Sequence, residues 1–316
     1  MSKIIEKFGK SFSKLLFPIL SKFFFYLRIN KRAANYFNEK SFFSNSKQNF
    51  EKIIKSLLNQ QKLIALDVGA QGGFNSDQFI PSKYNSFFKP VLIEPIEEEA
   101  TKLKETNEYV ISNGLWSEKT KKKIYILGKR LGSSSMYEPD PGLFNLHKIK
   151  EKNFQNYEVT DMIDVECKTL SQSLNEIHIN KLDYLKIDTQ GAELEILKGI
   201  GSFRPLLIKL ESHVFSMYKN VPSWNELIDY VYKLGYVLID WKGIGSHSMR
   251  IPAEMDLILI PNFNEKKGID LIKDNEEKFI SLMLIFGYID LLKLISKKNN
   301  FKSSDTLNNL KDYFFY

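Results

Sequence analysis

Three groups of residues combine side-chain type and spacing in a way that supports chemistry. The first is Leu66-Asp67-Val68-Gly69-Ala70-Gln71-Gly72-Gly73-Phe74, an apolar run that ends in an aspartate and enters a glycine-bearing turn. Without Cβ atoms at Gly69, Gly72 and Gly73, the backbone can take unusual dihedrals and approach a ligand closely. The Gly-x-x-Gly-Gly spacing departs from the Gly-x-Gly-x-x-Gly pattern that seats a pyrophosphate. Asp67 offers an acceptor to an ammonium or an ordered water, which a phosphate-binding turn would not want. The second group is Val91-Leu92-Ile93-Glu94-Pro95, whose carboxylate follows Gly69 by about 25 residues, close to the interval at which an acidic side chain meets a ribose. A carboxylate can accept hydrogen bonds from both ribose hydroxyls. Pro95 stops the strand and fixes where that carboxylate points.

The third group is Asp188 with Gln190 and Gly191 behind it, together with Glu211-Ser212-His213. If the apolar runs before them are neighbouring strands, Asp188 and Glu211 sit on adjacent strand ends within reach of one substrate. His213, with an ordinary pKa near 6.5, suits the acceptance of a hydroxyl proton at neutral pH. The plainer readings are a turn acceptor for Asp188, a helix-start charge for Glu193 and a packing residue for His213. Two carboxylates and a histidine could also hold a divalent cation, but the spacing is not diagnostic and no metal ligand is assigned. Lys186 shares a strand face with Asp188, and its ammonium, if buried, needs a carboxylate such as Asp188 or Glu211.

These residues must be carried by a particular set of elements. Leu63–Val68, Val91–Glu94, Tyr109–Ser112, Lys123–Leu127, Tyr184–Asp188, Leu206–Glu211, Tyr236–Asp240 and Asp256–Ile260 read as strands. Stretches near 75–85, 96–106, 169–178, 192–200 and 223–234 read as helices or helical turns. Runs with no wet face, such as Leu63-Ile-Ala-Leu-Asp-Val68, suit a buried parallel sheet, and the alternation predicts a Rossmann-like, doubly wound α/β fold with a mixed sheet. A glycine turn and an acidic strand end without a phosphate loop fit S-adenosylmethionine better than NAD. The loop over 128–142, rich in glycine, proline and serine, reads equally as a substrate or cofactor loop and as a plain connection. Trp224 and Trp241–His247 are candidates for an acceptor pocket.

The 316 residues are 43% apolar and 26% charged, which excludes wholesale disorder. A single cysteine, Cys167, makes neither an internal disulfide nor a cysteine-based zinc site and favours a reducing compartment. The net charge of +7 is the charge of residues 1–40 alone, with nine Lys/Arg against two Glu; the remainder sums to zero. A basic tail on a neutral body argues against nucleic acid as a partner of the main surface. Within 1–28, Ile4, Ile5, Phe8, Phe12, Leu15, Leu16, Ile19 and Phe23 share one helical face and Lys3, Lys7, Lys10 and Lys14 another, with Pro18 as a kink or stop. The apolar stretches are too short to span a bilayer. Such a helix either lies in an anionic membrane interface or packs on its own domain. The chain thus divides into a basic helical extension over 1–60, an α/β domain over 61–262 and a helical extension over 263–316.

The chain resembles the FkbM family of S-adenosylmethionine-dependent methyltransferases. Asp67-Val-Gly-Ala-Gln-Gly-Gly73 is similar to its cofactor motif and Ile93-Glu94-Pro95 to its second-strand signature. The most specific match is Asp183-Tyr-Leu-Lys186-Ile-Asp188-Thr-Gln190-Gly191-Ala192-Glu193-Leu-Glu195-Ile-Leu197-Lys198-Gly199. Weaker matches are Asn113-Gly114-Leu-Trp116, Gly132-Ser-Ser-Ser135, Cys167-Lys-Thr-Leu170 and the stretch from Glu211 to Tyr218. The resemblance spans roughly residues 61–242, and Gln71-Gly72-Gly73 departs from the commoner asparagine-containing turn. It implies methyl transfer to an oxygen, often on a sugar or a polyketide-type product. The cofactor set expected is Asp67, Gly69, Gln71, Gly72, Gly73, Glu94, Asn113, Gly114, Asp188 and Gln190; the catalytic set is Asp188, Glu211 and His213.

The expectation is therefore an O-methyltransferase acting on a hydroxyl of a saccharide, glycolipid or related natural product. It would be cytoplasmic, with residues 1–28 at the inner face of a membrane. The competing readings are a non-catalytic interaction protein that docks through its amino-terminal helix and, less compatible with the glycine spacing, an NAD-dependent oxidoreductase. The acceptor, the oligomeric state and the identity of the general base are left open by the residues.

Overall fold

The computed structural model describes residues 50–147, 149–242, 254–303 and 307. The amphipathic segment 1–28 and residues 243–247 lie outside the described residues. The chain divides into two compact units. One comprises Gln61–Phe79 and Ser86–Phe279; the other draws on Met1–Gln60, Ile80–Asn85 and Ile280–Tyr316, as far as these are described.

The first unit is built on a seven-stranded sheet. Its strands are β1 (Leu63–Val68), β2 (Phe88–Ile93), β3 (Val110–Ile111), β7 (Tyr184–Ile187), β8 (Leu207–His213), β9 (Tyr236–Lys242) and β10 (Glu254–Pro261). They lie in the order β3-β2-β1-β7-β8-β10-β9. Pairs from β3 to β8 are parallel, while β10 runs antiparallel to both β8 and β9. The chain lays down β1, β2 and β3 outward on one side and β7 and β8 outward on the other, so strand order reverses between β1 and β7. The carboxyl ends of those two parallel strands form the switch point at which open α/β sheets bind ligands. The interior is apolar: Leu66, Leu185, Ile187, Ile208, Leu210 and Leu257 have no more than 0% exposure. Burial on both faces is why these strands read as continuous hydrophobic runs.

The helices follow local signals. In α2 (Glu97–Lys104), Glu97, Glu98 and Glu99 occupy the first turn and Lys102 and Lys104 the last, complementing the helix dipole. α3 (Leu170–Glu176) starts on a capping box in which Thr169 accepts from the Gln172 N–H and the Gln172 side chain accepts from the Thr169 N–H. α4 (Glu193–Lys198) follows β7, and α5 (Trp224–Lys233) buries Leu227 and Val231 behind a Ser223 cap.

Some sequence expectations are corrected. No α-helix forms over 75–85. Asn75 and Gln78 adopt left-handed φ values of 57° and 54°, and a 3₁₀ turn covers Ser82–Phe87. β2 begins at Phe88, three residues before Val91, because Pro90 pairs with β1 at a level where β3 has not yet begun, so its missing N–H is not needed. A second sheet of three strands, β4 (Gly114–Leu115), β6 (Val159–Lys168) and β5 (Thr120–Leu127), contains the long β6 that was not expected. Only four residues separate β10 from α6 (Lys266–Asp274), so Pro261–Gly268 is no open linker. Gly268 lies inside α6, where a Cβ would fall 2.2 Å from the Asn262 carbonyl oxygen. Among the described residues three named helices follow β10, where one or two were expected over 269–295: α6, α7 (Glu276–Phe286) and α8 (Ile289–Asn299). α7 is not amphipathic over its second half, since Phe279, Ile280 and Leu282–Phe286 are all 2% exposed or less. In the other unit, α1 (Glu51–Leu58) turns Ile54 and Leu58 inward.

Candidate functional site

The site forms at the switch point. β1 delivers the chain into a left-handed turn with Gly69, Gly72 and Gly73 at φ values of 79°, 79° and 93°. A Cβ on Gly69 would lie 2.0 Å from the Asp188 carbonyl oxygen, so the ends of β1 and β7 approach this closely only because position 69 has no side chain. The N–H groups of Gly69 and Ala70 both donate to the Ile93 carbonyl, which ties the turn to the end of β2. Glu94 follows immediately, 4% exposed, with one carboxylate oxygen accepting from the Ile96 N–H at 3.0 Å. Burial pushes its carboxyl up to about 7, with the Ile96 N–H working in the opposite direction.

Gly69, Gln71, Glu94, Gly114, Asp188 and Gln190 all line one cleft with about 670 Å³ of open space. Its walls are otherwise apolar, with Ile93, Ile96, Leu115, Ile124, Met136 and Ile196 among them. Two glycines let its walls pack closely. A Cβ on Gly114 would meet Met136 Cε and Cys167 Sγ at 2.7 Å, and one on Gly132 would meet Gln71 Oε1 at 2.8 Å. The loop of uncertain role over 128–142 supplies Leu131, Gly132, Ser134, Ser135 and Met136 to this wall.

Other expected contributors lie elsewhere. Asp67 does not face the cleft: it is 1% exposed and accepts from Lys186 Nζ at 3.1 Å, so the ammonium anticipated for it is the protein's own. Gly72 and Gly73 shape the turn without lining the cleft. Asn113 turns its amide to the Gly114 carbonyl, at 2.7 Å, and to Ser173 Oγ, at 3.3 Å.

Beyond Asp188, the carboxyl ends of β7 and β8 and the amino end of the antiparallel β10 present a band of ionisable groups. Asp67, Lys186 and Lys209 lie opposite one another across β1, β7 and β8, as do Glu211 and Asp256 across β8 and β10, and His213 and Glu254 one step further. Residues opposite each other in a ladder project from the same face. Two buried lysines are each held by two carboxylates. Lys186 meets Asp67 at 3.1 Å and Asp188 at 3.7 Å, and Lys209 meets Asp77 and Asp256 at 3.0 Å each. Burial disfavours the Lys186 ammonium, but the charges of Asp67 and Asp188 outweigh it and hold its pKa above the usual range. Glu211, expected as a partner for Lys186, is instead bonded to Gln190.

Gln190 is the hub of this region. Held at a left-handed φ of 59°, it donates from Nε2 to Glu211 Oε2 at 2.6 Å and to Asp188 Oδ1 at 3.4 Å. Its Oε1 lies 2.9 Å from the Tyr218 hydroxyl, and its backbone carbonyl accepts from Ser135 Oγ at 2.8 Å. Burial, and then the charge of Asp188, push the Glu211 carboxyl up to about 8. His213 sits behind Glu211, Nε2 to Oε2 at 3.6 Å, with its ring edge-on to Tyr218 and its side chain 1% exposed. Burial opposes the imidazolium, yet the carboxylates of Glu211, Glu193 and Glu254 carry its pKa up to about 9. His213 thus sits behind Glu211, and neither of the two lines the cleft. Glu193 Oε1 accepts from the Thr189 N–H, the Thr189 hydroxyl and the Gly191 N–H, so it braces the turn that carries Gln190. Among the described residues, no group of three or more His, Cys, Asp or Glu side chains has a metal-binding arrangement.

Sequence reasoning did not identify Tyr218 or the cleft wall from Ile96, Ile124 and Ile196. A signal for the loop existed in Gly132-Ser-Ser-Ser135, but nothing in the pattern brings Tyr218 to Gln190.

A parallel sheet whose strand order reverses at β1/β7, with a glycine turn and a buried acidic strand end facing one cleft, defines a Rossmann-like protein of the methyltransferase type. The Methyltransferase FkbM domain matches residues 67–238, more than half of the chain. The chain belongs to this family and is a methyltransferase. No curated protein matches it. Among the described residues no helix is long and apolar enough to cross a membrane.

Proposed function

We propose that the protein transfers the methyl group of S-adenosylmethionine to a hydroxyl oxygen of a saccharide, a glycolipid or a related natural product. The observation that carries this is the sharing of one cleft by Glu94, the Gly69 turn and Asp188 at the point where the strand order reverses. The cleft fits such a cofactor: largely apolar walls suit an adenine, a buried carboxylate suits ribose hydroxyls, and the bare backbone at Gly69, Gly114 and Gly132 lets the walls come together where a Cβ would collide with them. When bound, the sulfonium supplies an activated methyl with a good leaving group. The chain's own residues then have to align a nucleophile and remove one proton.

Glu94 accepts hydrogen bonds from the ribose. Asp188, at the end of the cleft with its side chain 30% exposed, orients the acceptor hydroxyl. Glu211, hydrogen-bonded at 2.6 Å to Gln190 of the cleft wall, takes the proton in its ionised form, which burial and the charge of Asp188 make more basic than an ordinary carboxylate. His213 and Gln190 hold Glu211 in place, and Lys186 anchors Asp188. Residues 1–28 bring the enzyme to an anionic membrane surface where such acceptors are made.

Calorimetry with S-adenosylmethionine tests the reading. Glu94→Ala is expected to weaken binding by about tenfold to a hundredfold, the loss of one or two hydrogen bonds to a charged group. Asp188→Ala should bind the cofactor and yet form S-adenosylhomocysteine at least about a hundredfold more slowly with a glycan and lipid extract as acceptor. Unchanged affinity in the first variant removes the ribose assignment, and retained turnover in the second removes Asp188 from the reaction.

A further inference from the structure

Glu211, Gln190, Tyr218 and Ser133 form a hydrogen-bonded row that leads from the proposed proton acceptor to the wall of the cofactor cleft. Glu211 Oε2 lies 2.6 Å from the Gln190 amide, the far side of that amide lies 2.9 Å from the Tyr218 hydroxyl, and that hydroxyl lies 2.7 Å from the Ser133 carbonyl. Ser133 immediately precedes Ser134, Ser135 and Met136, which line the cleft. The same loop is paired to the Tyr218 segment by a bridge between Pro139 and Tyr218 and to the Gln190 carbonyl by Ser135. Tyr218 is 3% exposed, so no bulk water competes for its single proton.

We infer that Tyr218 is a positioning residue of the methyl-transfer reaction: acting through Gln190, it couples the protonation of Glu211 to the hold on the 131–136 loop over the cofactor.

The reasoning is a count of protons. An amide presents a donor on one side and an acceptor on the other, and its oxygen and nitrogen are nearly equal in size, so this pocket accepts either orientation. When Glu211 is ionised, Gln190 must turn Nε2 toward it. Oε1 then faces Tyr218 and takes the phenolic proton, which leaves the Ser133 carbonyl against an oxygen with no hydrogen between them. When Glu211 is protonated, its O–H donates to Gln190 Oε1, Nε2 donates to the Tyr218 oxygen, and the Tyr218 proton goes to Ser133. In that state Glu211, Gln190, Tyr218 and Ser133 are all satisfied, Asp188 gives up its 3.4 Å contact with Nε2 and keeps Lys186, and the loop is clamped. The one covalent change is the O–H bond formed at Glu211 as the acceptor hydroxyl's O–H bond breaks; everything else is a rearrangement of hydrogen bonds.

Other charged groups face Glu211. Asp188 approaches from the end of β7, Asp256 and Glu254 from β10, and His213 from its own strand, with Glu193 behind His213. Tyr157, under Arg130, adjoins Tyr218. They set where Glu211 titrates, but only Gln190 and Tyr218 connect that titration to Ser133. This rests on the proposed cofactor and on Glu211 as proton acceptor. Under it, the proton taken from the acceptor closes the loop over the spent cofactor, which leaves once that proton is lost to solvent.

The experiment is stopped-flow dissociation of S-adenosylhomocysteine from the full chain between pH 7 and 9. The native protein is expected to release it about three- to tenfold faster at the upper end, the worth of one hydrogen bond. Tyr218→Phe, which keeps the ring and loses only the hydroxyl, should show a flat profile at the fast rate. Glu211→Gln, which cannot ionise, should be flat at the slow rate. A pH dependence that persists unchanged in Tyr218→Phe overturns the coupling while leaving the cofactor assignment intact. Failure of all three proteins to bind S-adenosylhomocysteine overturns the cofactor assignment and the coupling together.

Discussion

Glu94 ends β2 with 4% exposure and a backbone N–H as its hydrogen-bond donor, and this environment makes cofactor binding depend on pH. Its carboxyl, ordinarily at 4.5, is pushed up to about 7 by burial. Ribose hydroxyls donate to the carboxylate and not to the acid, so binding favours the ionised form. Affinity for S-adenosylmethionine should therefore be full above pH about 7 and weaken by up to about tenfold for each unit of acidification below it. The stability contribution has the opposite trend. A raised acid pKa means the native state keeps a proton that the unfolded chain has released, so this group's contribution to stability falls as pH rises from 4.5 through about 7. Calorimetric titrations from pH 5.5 to 8 check the binding claim, and Glu94→Gln should lose both affinity and slope. Glu94 was legible from its interval after Gly69 and from the proline that stops its strand. Asp67 was legible as an acceptor for an ammonium, but it was assigned to the cofactor and not to Lys186. That pairing depends on β1 and β7 being neighbours, a fact of sheet order and not of sequence distance.

At the scale of elements, the inner strands were read almost to the residue because burial on both faces leaves an unbroken apolar run. β6 escaped because most of it is exposed: only Val165 and Cys167 are buried, while Asp161, Met162, Asp164 and Glu166 face solvent. Its period-two alternation at Ile163–Cys167 is the signal that could have found it. The 75–85 stretch misled because left-handed Asn75 and Gln78 are set by the turn that brings Asp77 to Lys209, a contact across 132 residues. That buried charge network makes its own prediction. Lys186→Met fills a similar volume but leaves Asp67, 1% exposed, with no cation in contact. Removing one member of a buried ion pair costs about 3–5 kcal/mol. The exposed pair of Lys198 and Glu195, with side chains 41% and 17% exposed, should be worth under about 1 kcal/mol when Lys198 is replaced by Ala. Urea unfolding of the two variants distinguishes them; equal losses would mean that the Asp67–Lys186 pair holds the sheet no more firmly than a surface pair does.

On the scale of the whole molecule, the decisive feature is where the charge resides. Residues 1–40 carry +7, and the remaining 276 residues carry 36 charges of each sign. A neutral body neither attracts nor repels an anionic surface over distances beyond about 10 Å in 0.1 M salt, so any long-range attraction originates in that one segment. Each basic residue near an anionic bilayer contributes about 1 kcal/mol, and a face of Phe, Ile and Leu adds apolar burial once the segment lies in the interface. We propose that together they give reversible attachment without a membrane span. The full chain should therefore sediment with vesicles containing a third of anionic lipid and be released as salt is raised. The chain from residue 29 onward should remain in the supernatant while binding S-adenosylmethionine with unchanged affinity. If the shortened chain sediments as the full chain does, attachment belongs to another surface, and if neither sediments, residues 1–28 do not bring the chain to an anionic membrane.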